Sequence, residues 1–146
     1  PPKYPLVRAL LALAMLLMPC AVMAEEAASG PKSTEGAVDA AKAWLALVDE
    51  GRYDESWKEA APFFQEKVPE AVWGVQLESV RKPLGKLVSR ELLGAEFLTQ
   101  LPGAPEGEYV VIQFKTSFEN KPDAVETVTP MKDPEGAWRV SGYFIR

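Results

Sequence analysis

The chain has no histidine and only one cysteine, Cys20, among its 146 residues. Without an imidazole, Ser-His-Asp and Cys-His catalysis are excluded within this chain, and the commonest general base near neutral pH is missing. A single cysteine forms no intrachain disulfide, and without histidine the usual zinc and copper ligand sets lose both principal donors. Positive charge is also in short supply, with 16 Lys and Arg against 21 Asp and Glu and a net charge of -5. A negative chain without a basic cluster cannot neutralise phosphates efficiently, which argues against nucleic acid as a partner.

The clearest positive feature is an export signal. Lys3 and Arg8 form a basic start, residues 9–18 are apolar, and Pro19 and small residues lead to a cleavage position after Ala24. Residues 1–24 are therefore expected to be a cleavable signal peptide, and the mature protein to be periplasmic or secreted. The apolar run is far shorter than the roughly 20 residues of a membrane span, so no stable membrane anchor is expected after cleavage. Leu17, Met18 and Pro19 also depart from a lipoprotein signal, which places a small residue directly before its cysteine. Cleavage would remove Cys20, Lys3 and Arg8, leaving 122 residues with 14 basic and 21 acidic side chains and a charge of -7. That length suits one domain, stabilised by packing alone.

Residues 25–36 are small and polar with Gly30 and Pro31, and read as a flexible leader before a single domain over residues 37–146. Val38, Ala41, Trp44, Leu45 and Val48 recur at helical spacing, with Ser33 or Thr34 as cap and Gly51 as stop. A second helix is expected from Asp54 through Trp57, Ala60 and Ala61, extended past Pro62 by Phe63 and Phe64. A third begins at Pro69 and presents Val72, Trp73, Gln76, Leu77 and Val80 before Pro83 and Gly85.

Beyond Gly85 the period changes from 3.6 to 2, which marks strands. Residues 87–99 form the first, with Gly94 marking a bulge. Residues 108–118 alternate cleanly, placing Val110, Ile112, Phe114, Thr116 and Phe118 toward the core. Residues 124–132 form a third strand in which Pro130 demands an edge or a bulge. Asp133-Pro134-Glu135-Gly136 has type I turn chemistry and joins it to a final strand over 137–145. Three helices before an antiparallel sheet of four strands make an α+β fold with the helices on one face.

Several segments together resemble the bacterial domain of unknown function 4019: Pro83-Leu84-Gly85, Ser89-Arg90, residues 101–105, Gly107-Glu108-Tyr109, residues 125–128, and Trp138-Arg139-Val140 through Ile145. The resemblance extends from about Val38 to Arg146. It implies an uncharacterised exported family, with a curved, cone-like sheet similar to that of nuclear transport factor 2 and ketosteroid isomerase. That architecture hosts enzymes, binding proteins and dimerisation modules, so it does not choose among them.

Trp44, Trp57, Trp73, Trp138, Tyr143 and Phe144 are candidates to line a ligand cavity, although core packing is the favoured reading of most of them. Arg90 and Glu126 each sit among apolar strand neighbours and must find a partner if buried, and each is a candidate partner for the other. The candidate binding set is thus Trp57, Trp73, Arg90, Glu126 and Tyr143. No cofactor, metal or catalytic residue is expected. The preferred reading is a non-catalytic module for a small molecule or a periplasmic protein. An isomerase-like enzyme using Glu126 and Tyr143 is an alternative, and a homodimer through a Tyr109, Val111 and Gln113 stripe is another.

Overall fold

The computed structural model describes residues 33–146. The expected signal peptide and the leader through residue 32 lie outside the described residues. Among the described residues four helices come first: α1 (Glu35–Asp49), α2 (Tyr53–Lys58), α3 (Pro62–Lys67) and α4 (Glu70–Leu84). Four strands follow: β1 (Leu87–Leu98), β2 (Tyr109–Phe118), β3 (Lys121–Lys132) and β4 (Trp138–Ile145), in a curved, open antiparallel sheet of order β1-β2-β3-β4. The α+β class follows from this order.

Helix α1 buries Ala37, Val38, Ala41, Trp44, Leu45 and Val48, the stripe its period predicts. The expected second helix is split in two. Ala61 adopts an extended conformation (φ -64°, ψ 146°) because the ring of Pro62 disfavours helix at the preceding residue. Its N–H donates to the Val140 carbonyl at 2.8 Å, so the corner between α2 and α3 is fastened to β4. Ala60 and Ala61 are buried, and their small side chains permit that close approach.

The buried stripe of α4 also differs from expectation. Trp73, Leu77 and Arg81 are buried at successive i, i+4 positions, whereas Val72 and Val80 are 43% and 48% exposed. An arginine takes the third inward place because Asp49 waits for it there, at 2.9 Å from Nη2.

The helical layer is tied together at Ser56, which is fully buried. The Trp44 indole donates to its carbonyl at 2.8 Å and the Trp73 indole to its hydroxyl at 3.0 Å, while that hydroxyl donates to the Tyr53 carbonyl at 2.7 Å. Two large rings thereby bury their polar N–H groups without an unpaired donor.

In the sheet, the register of β1 on β2 shifts between Leu92 and Gly94, the bulge expected at Gly94. That of β3 on β4 shifts between Thr129 and Pro130, which lets an inner strand accommodate a proline. The predicted inward set of β2 is buried throughout. Tyr109 departs from its expected place in an exposed stripe. It is fully buried, and its hydroxyl donates to the Pro105 carbonyl of the β1–β2 loop, which folds over the ring.

The end of α4 is clamped by the β2–β3 turn, where Asn120 donates to the carbonyls of Pro83 and Leu84 at 2.9 and 2.8 Å. Gly85 turns the chain at φ 80°, and a Cβ there would meet Glu119 Cβ at 3.0 Å. Gly85→Ala is therefore expected to destabilise the domain by about 1–3 kcal/mol through backbone strain. The shift of the urea midpoint measures it.

Candidate functional site

Six elements converge on a buried polar cluster: Asp49 from the end of α1, Arg81 from α4, Arg90 from β1, Thr116 from β2, Glu126 from β3 and Tyr143 from β4. Arg90 and Thr116 are cross-strand partners, which places both on the inward face beside Glu126. Arg90 spreads its fork over two carboxylates. Nε and Nη2 donate to Glu126 at 2.6 and 3.2 Å, and Nη1 and Nη2 donate to Asp49 at 2.8 and 3.0 Å. A planar guanidinium can satisfy two carboxylates at once, whereas a lysine offers a single point charge.

Glu126 is fully buried and saturated. Oε1 also accepts from the Thr116 hydroxyl at 2.6 Å, and Oε2 accepts from the Tyr143 hydroxyl. Arg81 lies with its guanidinium 4.8 Å over the Phe118 ring, and its Nε and Nη1 have no hydrogen-bond partner among the described residues. Two guanidinium groups and two carboxylates balance to zero charge, the condition under which a buried cluster is tolerable.

Burial pushes the Asp49 carboxyl upward, but Arg90 and Arg81 outweigh it and hold the group below its ordinary value. Burial, together with the neighbouring Glu126 carboxylate, raises the Tyr143 phenol well above its ordinary value near 10. A raised folded pKa contributes no pH dependence below the unfolded value and costs stability as pH rises through about 10, where only the unfolded chain ionises. The urea midpoint is accordingly expected to fall above about pH 10, and Tyr143→Phe to flatten that part of the decline.

Tyr143 connects the cluster to an apolar groove. Its ring packs edge-on against Trp44 at 5.2 Å, and Trp44 lies 6.1 Å from Trp73. Trp73, Leu77 and Val80 of α4 and Tyr143, Phe144 and Ile145 of β4 line an open cavity of about 330 Å³. Phe144 at its rim is 55% exposed. On the polar side of the cluster, Asp49 and Arg81 line a second cavity of about 460 Å³ with Tyr53, Lys82, Lys86 and Glu119. Among the described residues, no group of three or more Cys, Asp or Glu side chains is placed to hold a metal ion.

Of the five residues singled out from the sequence, Arg90, Glu126 and Tyr143 are brought together in the cluster, and Trp73 and Tyr143 meet at the groove. Trp57 reaches neither. It is half-buried, with its indole N–H donating to the Val68 carbonyl at 2.7 Å. Asp49, Arg81 and Thr116 are further members of the cluster that the sequence does not single out as site residues. Two of them leave a trace: Asp49 is an acid at a helix C-terminus, against the dipole, and Arg81 falls four residues after Leu77 on an apolar stripe.

No curated protein matches the chain. The model of the family described as a protein of unknown function (DUF4019) matches residues 40–143, which include every member of the cluster and every groove residue except Phe144 and Ile145. The chain belongs to the DUF4019 family.

Proposed function

We propose that this domain is an exported, non-catalytic binding module that receives an apolar group in the groove between α4 and β4. The observation that carries the reading is a groove of Trp73, Leu77, Val80, Tyr143, Phe144 and Ile145, backed by a cluster that holds Tyr143 in one orientation. Ligand sites are commonly concave, largely apolar and supported by fixed polar groups. The same cluster argues against the isomerase-like alternative. A general base needs a free lone pair within reach of substrate, whereas both Glu126 oxygens are occupied by neighbouring donors and Tyr143 donates to Glu126. Export is supported by the pattern of residues 1–24.

Nile red, a neutral apolar dye, tests the groove directly. Its fluorescence should rise on binding, and Val80→Glu and Phe144→Ser, both at exposed positions, should weaken binding about tenfold, equivalent to the burial of one or two methylene groups. Equal dye binding by the wild-type protein and both variants, or none by any of them, would remove the support for this site. Fractionation by osmotic shock tests export, and recovery with the cytoplasmic proteins would contradict it.

A further inference from the structure

We infer that the occupant of the α4–β4 groove is an extended peptide segment that joins β4 as an additional strand and places an apolar side chain in the groove. This inference rests on the binding reading above and specifies its partner.

The register identifies the available backbone. Val125 and Arg146 exchange both of their N–H···O bonds, at 2.9 and 3.0 Å. In an antiparallel pair every second residue then turns its N–H and C=O away from the neighbouring strand. On β4 those residues are Ile145 and Tyr143, opposite Glu126 and Val128. The bulge between Thr129 and Pro130 resets the alternation, and Val140 is the next outward residue.

The protein closes part of this edge itself. The outward carbonyl of Val140 accepts the N–H of Ala61, a residue in extended conformation. Pro62 then turns the chain into α3, so the covering segment stops short of Tyr143. Beyond it, among the described residues, no backbone bond outside the ladder reaches Tyr143 or Ile145. Both residues also line the groove, so two outward N–H groups and two outward carbonyls sit beside an apolar cavity of about 330 Å³.

A small apolar molecule would fill the cavity and leave those four groups to water. An extended peptide satisfies both, with main-chain bonds to the edge and an alternate side chain in the pocket. The other edge of the sheet is built differently. Strand β1 carries a bulge at Gly94 and the charges of Arg90, Glu91 and Glu96, devices that discourage pairing. Gly142-Tyr143-Phe144-Ile145 contains no charge, proline or bulge.

The test is selection of short random peptides on the immobilised protein in the form isolated from cells, followed by hydrogen exchange with synthetic copies of the selected sequences. The selected peptides should alternate apolar and polar residues, displace Nile red and slow exchange of the Tyr143 and Ile145 amides. N-methylation of alternate peptide amides, in the phase that faces β4, should weaken binding about tenfold or more, since each methyl removes a hydrogen bond. Val80→Glu should weaken the same peptides while leaving the protein's urea midpoint close to the wild-type value.

If Nile red binds in the groove but no selected peptide slows those amides, the occupant is a small molecule: this inference fails and the binding module stands. If Nile red does not bind and no peptide is selected, both readings fail together. Peptides that bind equally well after N-methylation in either phase would also overturn strand addition.

Discussion

Glu126→Ala should lower stability by about 3–5 kcal/mol, the typical cost of removing one partner from a buried charge cluster. The carboxylate is fully buried and accepts from Arg90, Thr116 and Tyr143. Its loss leaves three donors short of an acceptor, and Asp49 alone must balance both Arg81 and Arg90. Urea denaturation at neutral pH measures the effect. A shift below about 1 kcal/mol would place the cluster in the regime of solvent-screened surface pairs. A companion protein carrying Glu126→Leu and Arg90→Met should recover most of the loss, because removing both charges avoids burying one alone. Recovery would show that the cluster specifies an arrangement more than it supplies net stability.

The second large effect is expected at Trp44. The side chain is 4% exposed, touches both Tyr143 and Trp73, and donates to the Ser56 carbonyl. Trp44→Ala combines lost burial with a cavity between the helices and the sheet, at a cost of about 3–5 kcal/mol. Trp44→Phe keeps most of the volume and loses the indole donor, so it should cost less, on the order of 1–3 kcal/mol. Thermal unfolding of the two variants separates packing from hydrogen bonding. Because Tyr143 leans on Trp44, the alanine variant should also weaken Nile red binding at the groove, a site that Trp44 does not itself line.

The parts of the fold that were readable in the sequence are those governed by a strict local period. Helix α1 has an uninterrupted apolar stripe, β2 alternates over its whole length, and Gly94 and Pro130 stand where the ladder shifts. Each of these depends on neighbours within a few residues. Tyr109 was misplaced because alternation puts it opposite the core face, and nothing local indicates that the β1–β2 loop covers it. The split of the second helix was only half visible. Pro62 announced a break, but fastening Ala61 to Val140 is a contact between distant segments.

The same distinction applies to the site. Arg90 and Glu126 drew attention because a charge amid apolar strand residues needs a partner. Their meeting is borne by three strands in register. Asp49 and Arg81 sit on helices rich in charged residues, where an acid against the dipole or an arginine on the apolar stripe is a local trace that names no partner. What distinguishes them is partners 41 and 32 residues away, respectively, in sequence. Trp57, by contrast, belongs to the helix framework through Val68.

The placement of Glu126 bears on how the domain assembles. Its position in β3 means that the four described helices and two strands precede it in the chain. Until it arrives, Arg81 and Arg90 have only Asp49 between them, and the helices would have to bury excess positive charge against an unfinished sheet. A helical layer closed over the first two strands alone is thus disfavoured, and completion of the sheet and closure of the helical layer become a single cooperative event.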